Sequence, residues 1–165
     1  MQTAQTLLGT FGMTDFLMPL VLEDLTDEQA RWRARDGEGP SVTWLVGHLL
    51  HYRYHLLDVL GREVESPYGE TFTQPATDGS GYPTVEALLT KWADVATVFQ
   101  DALLSKSEAE WDEPGEGAHD EKTLRDQLVF FAWHEGYHMG MIGANRKALG
   151  VLGPAEKVMA MRESS

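Results

Sequence analysis

The stretch FFAWHEGYHMGMIG, from Phe130 to Gly143, places two histidines four residues apart among aromatic and aliphatic side chains. On an α-helix, residues four apart differ by about 40° in azimuth and about 6 Å in rise, so His134 and His138 would share one face. Burying two imidazoles on an apolar face costs free energy unless their nitrogens find partners. A divalent metal ion would satisfy both rings. The spacing leaves a second interpretation open, namely two hydrogen-bonded core histidines.

The inner five residues, His134–His138, also fit H-E-x-x-H, the pattern of zinc proteases, in which Glu135 would activate a water molecule. The extended protease pattern fails here, because Met141 stands where glycine is needed and Ala144 where the last histidine is needed. The chain also lacks the alternating pattern of a strand that could align a peptide. These features argue against a protease.

Outward from this motif, apolar residues recur at helical spacing in four stretches. They predict helices at about Thr3–Leu25, Ser41–Gly61, Thr84–Ser105, and from Thr123 to just before Gly150. No internal repeat interrupts this order. The sequence therefore predicts an all-α protein, a four-helix bundle with a long loop between the second and third helices, in one domain spanning residues 1–165.

Smaller features modify this outline. Gly9, Gly12 and Pro19 weaken the first helix and predict a bend or a late start. The spacing of Thr26–Gln29 fits a capping box and predicts a short extra helical turn. The tail from Pro154 predicts a short final helix.

Composition excludes several classes of protein. The 165 residues include no cysteine, so a disulfide, a thiolate metal ligand and a cysteine nucleophile are all excluded. Acidic residues number 26 and basic residues 13, a net charge of −13, which argues against nucleic acid as a partner. No apolar run approaches the roughly 20 residues of a membrane span. The amino end lacks a secretory pattern, so we expect a soluble cytoplasmic protein without a membrane partner.

The second predicted helix offers three further histidines as a third ligand. His51 and His55 repeat the spacing of four, whereas His48 and His55 face the same way about 10 Å apart, too far to share an ion. His48 is surrounded by apolar residues and is the favoured third ligand, with His51 as its rival. His119, in an acidic loop, is expected to be exposed.

Two motifs together resemble a known family. WLVGHLLHYRYH, from Trp44 to His55, and WHEGYHMGMIG, from Trp133 to Gly143, resemble the DinB-like superfamily of metal-binding four-helix bundles, which includes the DinB and YfiT proteins. The resemblance implies three metal ligands: His48, His134 and His138. A glutamine that commonly follows the glycine of the second motif is replaced here by methionine.

The resemblance also implies a range of activities, since some members transfer or isomerise groups with a low-molecular-weight thiol and many have no established reaction. The leading hypothesis is a thiol-dependent transferase that acts on an electrophilic small molecule with one divalent transition metal, zinc or nickel. The alternatives are a hydrolase of small esters or amides, with Glu135 or His51 as proton shuttle, and a non-catalytic bundle that binds metal or a small molecule. A homodimer is compatible with this fold. An all-histidine site predicts loss of metal below about pH 6.

Overall fold

Six α-helices follow one another along residues 2–74, 79–115 and 122–163, the parts of the chain that the computed structural model describes. They are α1 (Gln2–Leu22), α2 (Asp27–Arg31), α3 (Val42–Val59), α4 (Val85–Ser105), α5 (Leu124–Ala148) and α6 (Pro154–Glu163), with a short 3-10 helix at Glu110–Asp112. Within these residues the only sheet-like pairings are two isolated bridges, Arg33–Ser41 and Pro114–Thr123. The predicted all-α class is confirmed.

The four long helices form a bundle. Helices α1 and α3 each pack against both α4 and α5, so that the apolar faces of all four meet in one core. The contact between α3 and α5 brings the two histidine motifs together, because the motifs lie on these two helices. The predicted four-helix bundle is therefore confirmed, with α2 and α6 as short additions.

Side-chain caps start three of the helices where the sequence predicted them. The hydroxyls of Ser41, Thr84 and Thr123 accept backbone N–H groups at the first turns of α3, α4 and α5. These hydroxyls satisfy donors that have no partner inside the helix. Thr26 and Gln29 form the predicted capping box at the start of α2.

The expectation of a late start for α1 is wrong. The helix runs without interruption from Gln2 past Gly9, Gly12 and Pro19. Both glycines have open space around them, so they cost helix propensity without disturbing any packing. The opposite face of α1 is buried in the core and compensates for these weak positions; its buried residues are Ala4, Leu7, Phe11, Thr14, Met18, Val21 and Leu22.

A long connection separates α3 from α4, as predicted. Its described part is mostly exposed, yet Phe72 and Tyr82 are buried and belong to the core. The predicted exposure of His119 concerns a residue outside the described ranges. Among the described residues, no helix combines the length and the apolar character that crossing a bilayer requires.

Candidate metal centre

Three histidines converge between α3 and α5. His48 on α3 and His134 and His138 on α5 each present a ring nitrogen, and these three atoms lie within 4.8 Å of one another. His48 and His138 are buried, and His134 is half-buried. The structure thus brings together the three residues that the sequence predicted as ligands.

The pair on α5 has the geometry of two ligands of one ion. Its Nε2 atoms lie 3.0 Å apart. Two nitrogens that each bind zinc at 2.0–2.1 Å in a tetrahedral arrangement are separated by about 3.3 Å. Only a small rotation of the rings would be needed to place an ion between His134 and His138.

A backbone carbonyl orients the third histidine. Nδ1 of His48 lies 2.8 Å from the carbonyl oxygen of Phe72. A carbonyl can only accept, so Nδ1 carries the proton and the lone pair is on Nε2. An imidazole that donates its other N–H to a carbonyl is the usual arrangement of a metal-binding histidine.

Burial keeps the three imidazoles neutral. Desolvation lowers the pKa of His134 to about 4, with a contribution from His48, and lowers the pKa of His138 to about 3, with contributions from His134 and His48. Desolvation also lowers the pKa of His48, although the bond to Phe72 opposes the shift. Metal ligands must be deprotonated. Protons therefore compete less with a metal ion for these nitrogens than they do for the nitrogens of free imidazole. The lowered pKa values therefore favour metal retention at a lower pH than the limit of about 6 predicted from the ligand type, and the pH at which metal is lost stays a prediction.

Two buried nitrogens in the site have no partner among the described residues: Nδ1 of His134 and Nδ1 of His138. The Nε2 atoms of the same rings face each other. Two neutral imidazoles can share one hydrogen between these nitrogens, whereas a cation would use both lone pairs. The donor set, its neutral charge and its spacing all fit a divalent transition metal.

Aromatic rings enclose the histidines. Trp44 stacks on His48 with ring centroids 4.5 Å apart, and Tyr52 meets the edges of His48 and His134 at 4.9 and 5.0 Å. Phe130 lies nearly parallel to His134 at 6.3 Å. These rings restrict the imidazole rotamers and make the surroundings of the site apolar.

The other two histidines of α3 lie outside the group of three. His51 is half-buried, and its Nδ1 lies 3.2 Å from the carbonyl oxygen of Gly69. His55 is exposed, with its ring centroid 5.9 Å from that of Phe131. His51 is therefore not the third member of the cluster.

Glu135 does not fit the role of proton shuttle that the sequence suggested. Both of its oxygens accept from the guanidinium of Arg53, and the side chain is buried in the core. Its position on α5, about 100° from His134, directs it to a different side of the helix. A carboxylate held by a buried arginine is not free to collect and release a proton at the histidine cluster.

Sequence reasoning missed two contributors. The Phe72 carbonyl belongs to the backbone, and a backbone carbonyl carries no residue-type pattern. No pattern in the sequence marks Arg53 as buried, since its neighbours His51, Tyr52 and His55 are polar or amphipathic, yet it is fully buried. Asp15, the sole charged residue of α1, was the available indication of a buried cation.

The architecture defines a helical bundle in which three histidines from two helices form a candidate site for one divalent metal. A family model for the DinB superfamily matches residues 17–142, and the chain belongs to this superfamily. The predicted family is thereby confirmed. No match was found among curated proteins.

Solved structures agree in fold. A DinB-like protein from Bacillus cereus ATCC 10987 is 16% identical, with a TM-score of 0.71 over 91% of this chain and 95% of that one. YfiT from Bacillus subtilis, described as a probable metal-dependent hydrolase with an unusual four-helix bundle topology, is 15% identical, with a TM-score of 0.67 over 90% of this chain and 88% of that one. At these identities the likeness concerns the fold.

Proposed function

We propose that this protein binds one divalent transition metal through His48, His134 and His138 and uses it to transfer a low-molecular-weight thiol to an electrophilic small molecule. The observation that carries the proposal is the convergence of three ring nitrogens within 4.8 Å. Three protein ligands leave coordination positions open, which is the layout of catalytic rather than structural metal sites. A bound metal of this kind would supply Lewis acidity, favouring the anionic form of a thiol at neutral pH.

The protein's own residues favour a thiol over water as the nucleophile. A general base would assist hydrolysis by taking a proton from water, and Glu135, the carboxylate next to the ligands in sequence, is bound to Arg53. His51 is the remaining candidate and is tied to Gly69 through one nitrogen. A free thiol has a pKa of about 8.5 and water one of about 15.7, so a thiol would need a smaller pKa shift from a bound metal to react as an anion at neutral pH.

The rings around the ligands favour an apolar acceptor. Trp44, Tyr52 and Phe130 contact the histidines, and rings of this kind offer dispersion contacts without charge. In the proposed reaction the thiol sulfur forms a bond to an electrophilic carbon. The leaving group departs with its electron pair, and the thiol proton goes to solvent. The chain has no cysteine, so the sulfur must come from the small molecule.

The test is a conjugation assay with metal-free protein, to which zinc or nickel is added with bacillithiol, mycothiol or glutathione and 1-chloro-2,4-dinitrobenzene. We expect thiol conjugation that requires both metal and protein and that disappears in His134→Ala. The matched control is His55→Ala, which removes an exposed histidine outside the cluster and should retain activity. Absence of metal-dependent conjugation with every thiol would contradict the transferase.

Hydrolysis is the second candidate, because YfiT, a protein of similar fold, is described as a probable metal-dependent hydrolase. One experiment distinguishes the transferase from the hydrolase, because only a hydrolase would cleave p-nitrophenyl acetate with metal and without a thiol. Faster ester cleavage with metal alone, lost in His134→Ala and reduced in His51→Ala, would favour hydrolysis. Tight metal binding with no turnover in either assay would indicate the non-catalytic bundle.

A further inference from the structure

Gly47 lies on the buried side of α3, immediately before the metal-ligand candidate His48, and leaves no room for a side chain. A Cβ atom built at this position would lie 2.5 Å from Cδ1 of Phe72 and closer still to Cε1 and Cζ. Real Cβ atoms do not approach a ring so closely, so any larger residue must displace the ring. The ring of Phe72 thus packs directly on the α3 backbone.

The ring is held on its other sides by the loop that it belongs to. Phe72 is fully buried, and its centroid lies 5.5 Å from that of Tyr68 and 5.1 Å from that of Tyr82. Through these contacts Phe72 helps to fix the described part of the α3–α4 connection to the bundle. A shift of the ring would therefore move the local backbone as well.

The backbone of the same residue contacts the candidate ligand. The Phe72 carbonyl accepts the Nδ1 hydrogen of His48 at 2.8 Å. About one turn further along α3, Nδ1 of His51 lies 3.2 Å from the carbonyl oxygen of Gly69. The loop therefore approaches α3 closely enough to set the tautomer and the rotation of His48. That approach is possible because Gly47 has no Cβ atom.

We propose that Gly47 is a positioning residue for the metal centre. It makes the space in which Phe72 packs, and the Phe72 carbonyl then holds His48 with its Nε2 lone pair directed at His134 and His138. The inference rests on the proposed metal-binding function and adds to it a residue that positions a ligand without being one. Groups that hydrogen-bond a metal-binding histidine typically change metal affinity by about 10–100-fold.

The substitution Gly47→Ala tests the positioning role of Gly47, and Gly136→Ala is its matched control. Both positions are helical, but a Cβ at Gly136 meets nothing within 4 Å. Helix propensity alone favours alanine at either position. We expect the zinc affinity, measured by competition with a chromophoric chelator, to fall about 10–100-fold in Gly47→Ala and to stay unchanged in Gly136→Ala. Equal affinities for wild type and Gly47→Ala would overturn the proposal.

A double-mutant cycle identifies the route of the effect. If Gly47 acts through the Phe72 ring, then Gly47→Ala costs much less affinity in a Phe72→Ala background than in the wild type. Full additivity of the two losses would refute this route. Phe72→Leu keeps the loop backbone with a smaller side chain, and it should weaken zinc binding in the same direction. This variant also tests the proposal should Gly47→Ala fail to fold.

The tautomer of His48 gives a measurement that needs no metal. Long-range ¹H–¹⁵N spectra of the metal-free protein should show His48 protonated at Nδ1 in the wild type and in Gly136→Ala, and a mixture of tautomers in Gly47→Ala. An unchanged Nδ1–H tautomer in Gly47→Ala contradicts the proposal. If the wild type binds no metal but the tautomer shifts as expected, the metal function fails while the coupling from Gly47 to His48 stands.

Discussion

Arg53 and Glu135 form a two-point ion pair that joins α3 to α5 inside the core: Nε and Nη2 of the guanidinium donate to Oε1 and Oε2 of the carboxylate. Asp15 on α1 lies 3.2 Å from Nη2 of the same arginine. Burial alone would lower the pKa of Arg53, but the charges of Glu135 and Asp15 outweigh it and raise that pKa. Burial raises the pKa of Glu135, and the charge and hydrogen bonds of Arg53 oppose that shift. The pair joins the two helices that carry the candidate metal ligands.

Arg53→Met should be strongly destabilising, because it leaves the buried carboxylate of Glu135 and the half-buried carboxylate of Asp15 without this cation. Breaking a buried ion pair by removing one partner costs about 3–5 kcal/mol. Urea unfolding would measure the loss. The control is Asp94→Asn, which breaks an exposed pair with Lys91 and should change stability by less than about 1 kcal/mol. Similar stabilities for Arg53→Met and the wild type would contradict a structural role for the pair.

Single ligand variants should separate the three clustered histidines from the other two on α3. Loss of a group that hydrogen-bonds a ligand typically lowers metal affinity by about 10–100-fold. We expect His48→Ala and His138→Ala, which remove ligands themselves, to lose more zinc affinity than that. His51→Ala and His55→Ala should bind zinc with affinities close to that of the wild type. Isothermal titration of the metal-free proteins is the measurement. A larger loss in His51→Ala than in His48→Ala would make His51 the third ligand instead.

The metal-free protein should lose stability as the pH falls below about 6.5. The folded pKa of His138 is lowered to about 3, so the unfolded chain takes up a proton at a higher pH than the folded one. The free energy of unfolding then decreases by up to about 1.4 kcal/mol per pH unit for this residue between the two pKa values. Urea unfolding with a chelator between pH 7 and pH 5 measures the slope.

His138→Gln is the matched variant for that slope, since it removes the titrating group and keeps a polar side chain. Its stability should depend less on pH than that of the wild type over the same range. Identical slopes would mean that His138 does not titrate as its burial requires. For the loaded protein, dialysis should show zinc retained at pH 5.5, below the limit first expected from the sequence.

Removing the cap of α5 should cost about 1 kcal/mol. Thr123 accepts the N–H of Asp126, and the Asp126 carboxylate accepts the N–H of Thr123 in return. Thr123→Ala leaves the first turn of this helix with an unsatisfied donor. Thr97→Ala is the control, because its hydroxyl bonds only within the middle of α4. Thermal unfolding that ranks Thr97→Ala as the more damaging change would contradict the capping role.

Local patterns explain what the sequence could predict. Ser41, Thr84 and Thr123 mark helix starts because a cap is satisfied by residues within the next turn. His134 and His138 could be paired because a spacing of four fixes their relation on any α-helix. The choice of His48 rested on its apolar neighbours and on the family resemblance, and the structure places it beside the other two.

The features that escaped prediction depend on residues distant in sequence. Arg53 is buried because Asp15 and Glu135 on two other helices meet it, and no local spacing reveals such a meeting. The close fit of Gly47 and Phe72 depends on where a long loop returns to the bundle. The continuity of α1 through Pro19 likewise follows from tertiary burial outweighing weak helix propensity.

If the proposed metal binds, the convergence of rings from α3 and α5 couples the concentration of free metal to the stability of the fold. An unfolded chain keeps the His134–His138 spacing but separates it from His48, so it forfeits the third donor. Any ion that prefers the complete trio shifts the folding equilibrium toward the native state in proportion to the logarithm of its free concentration. Under the proposed function, shortage of that ion would then lower the stability of the protein as well as its activity.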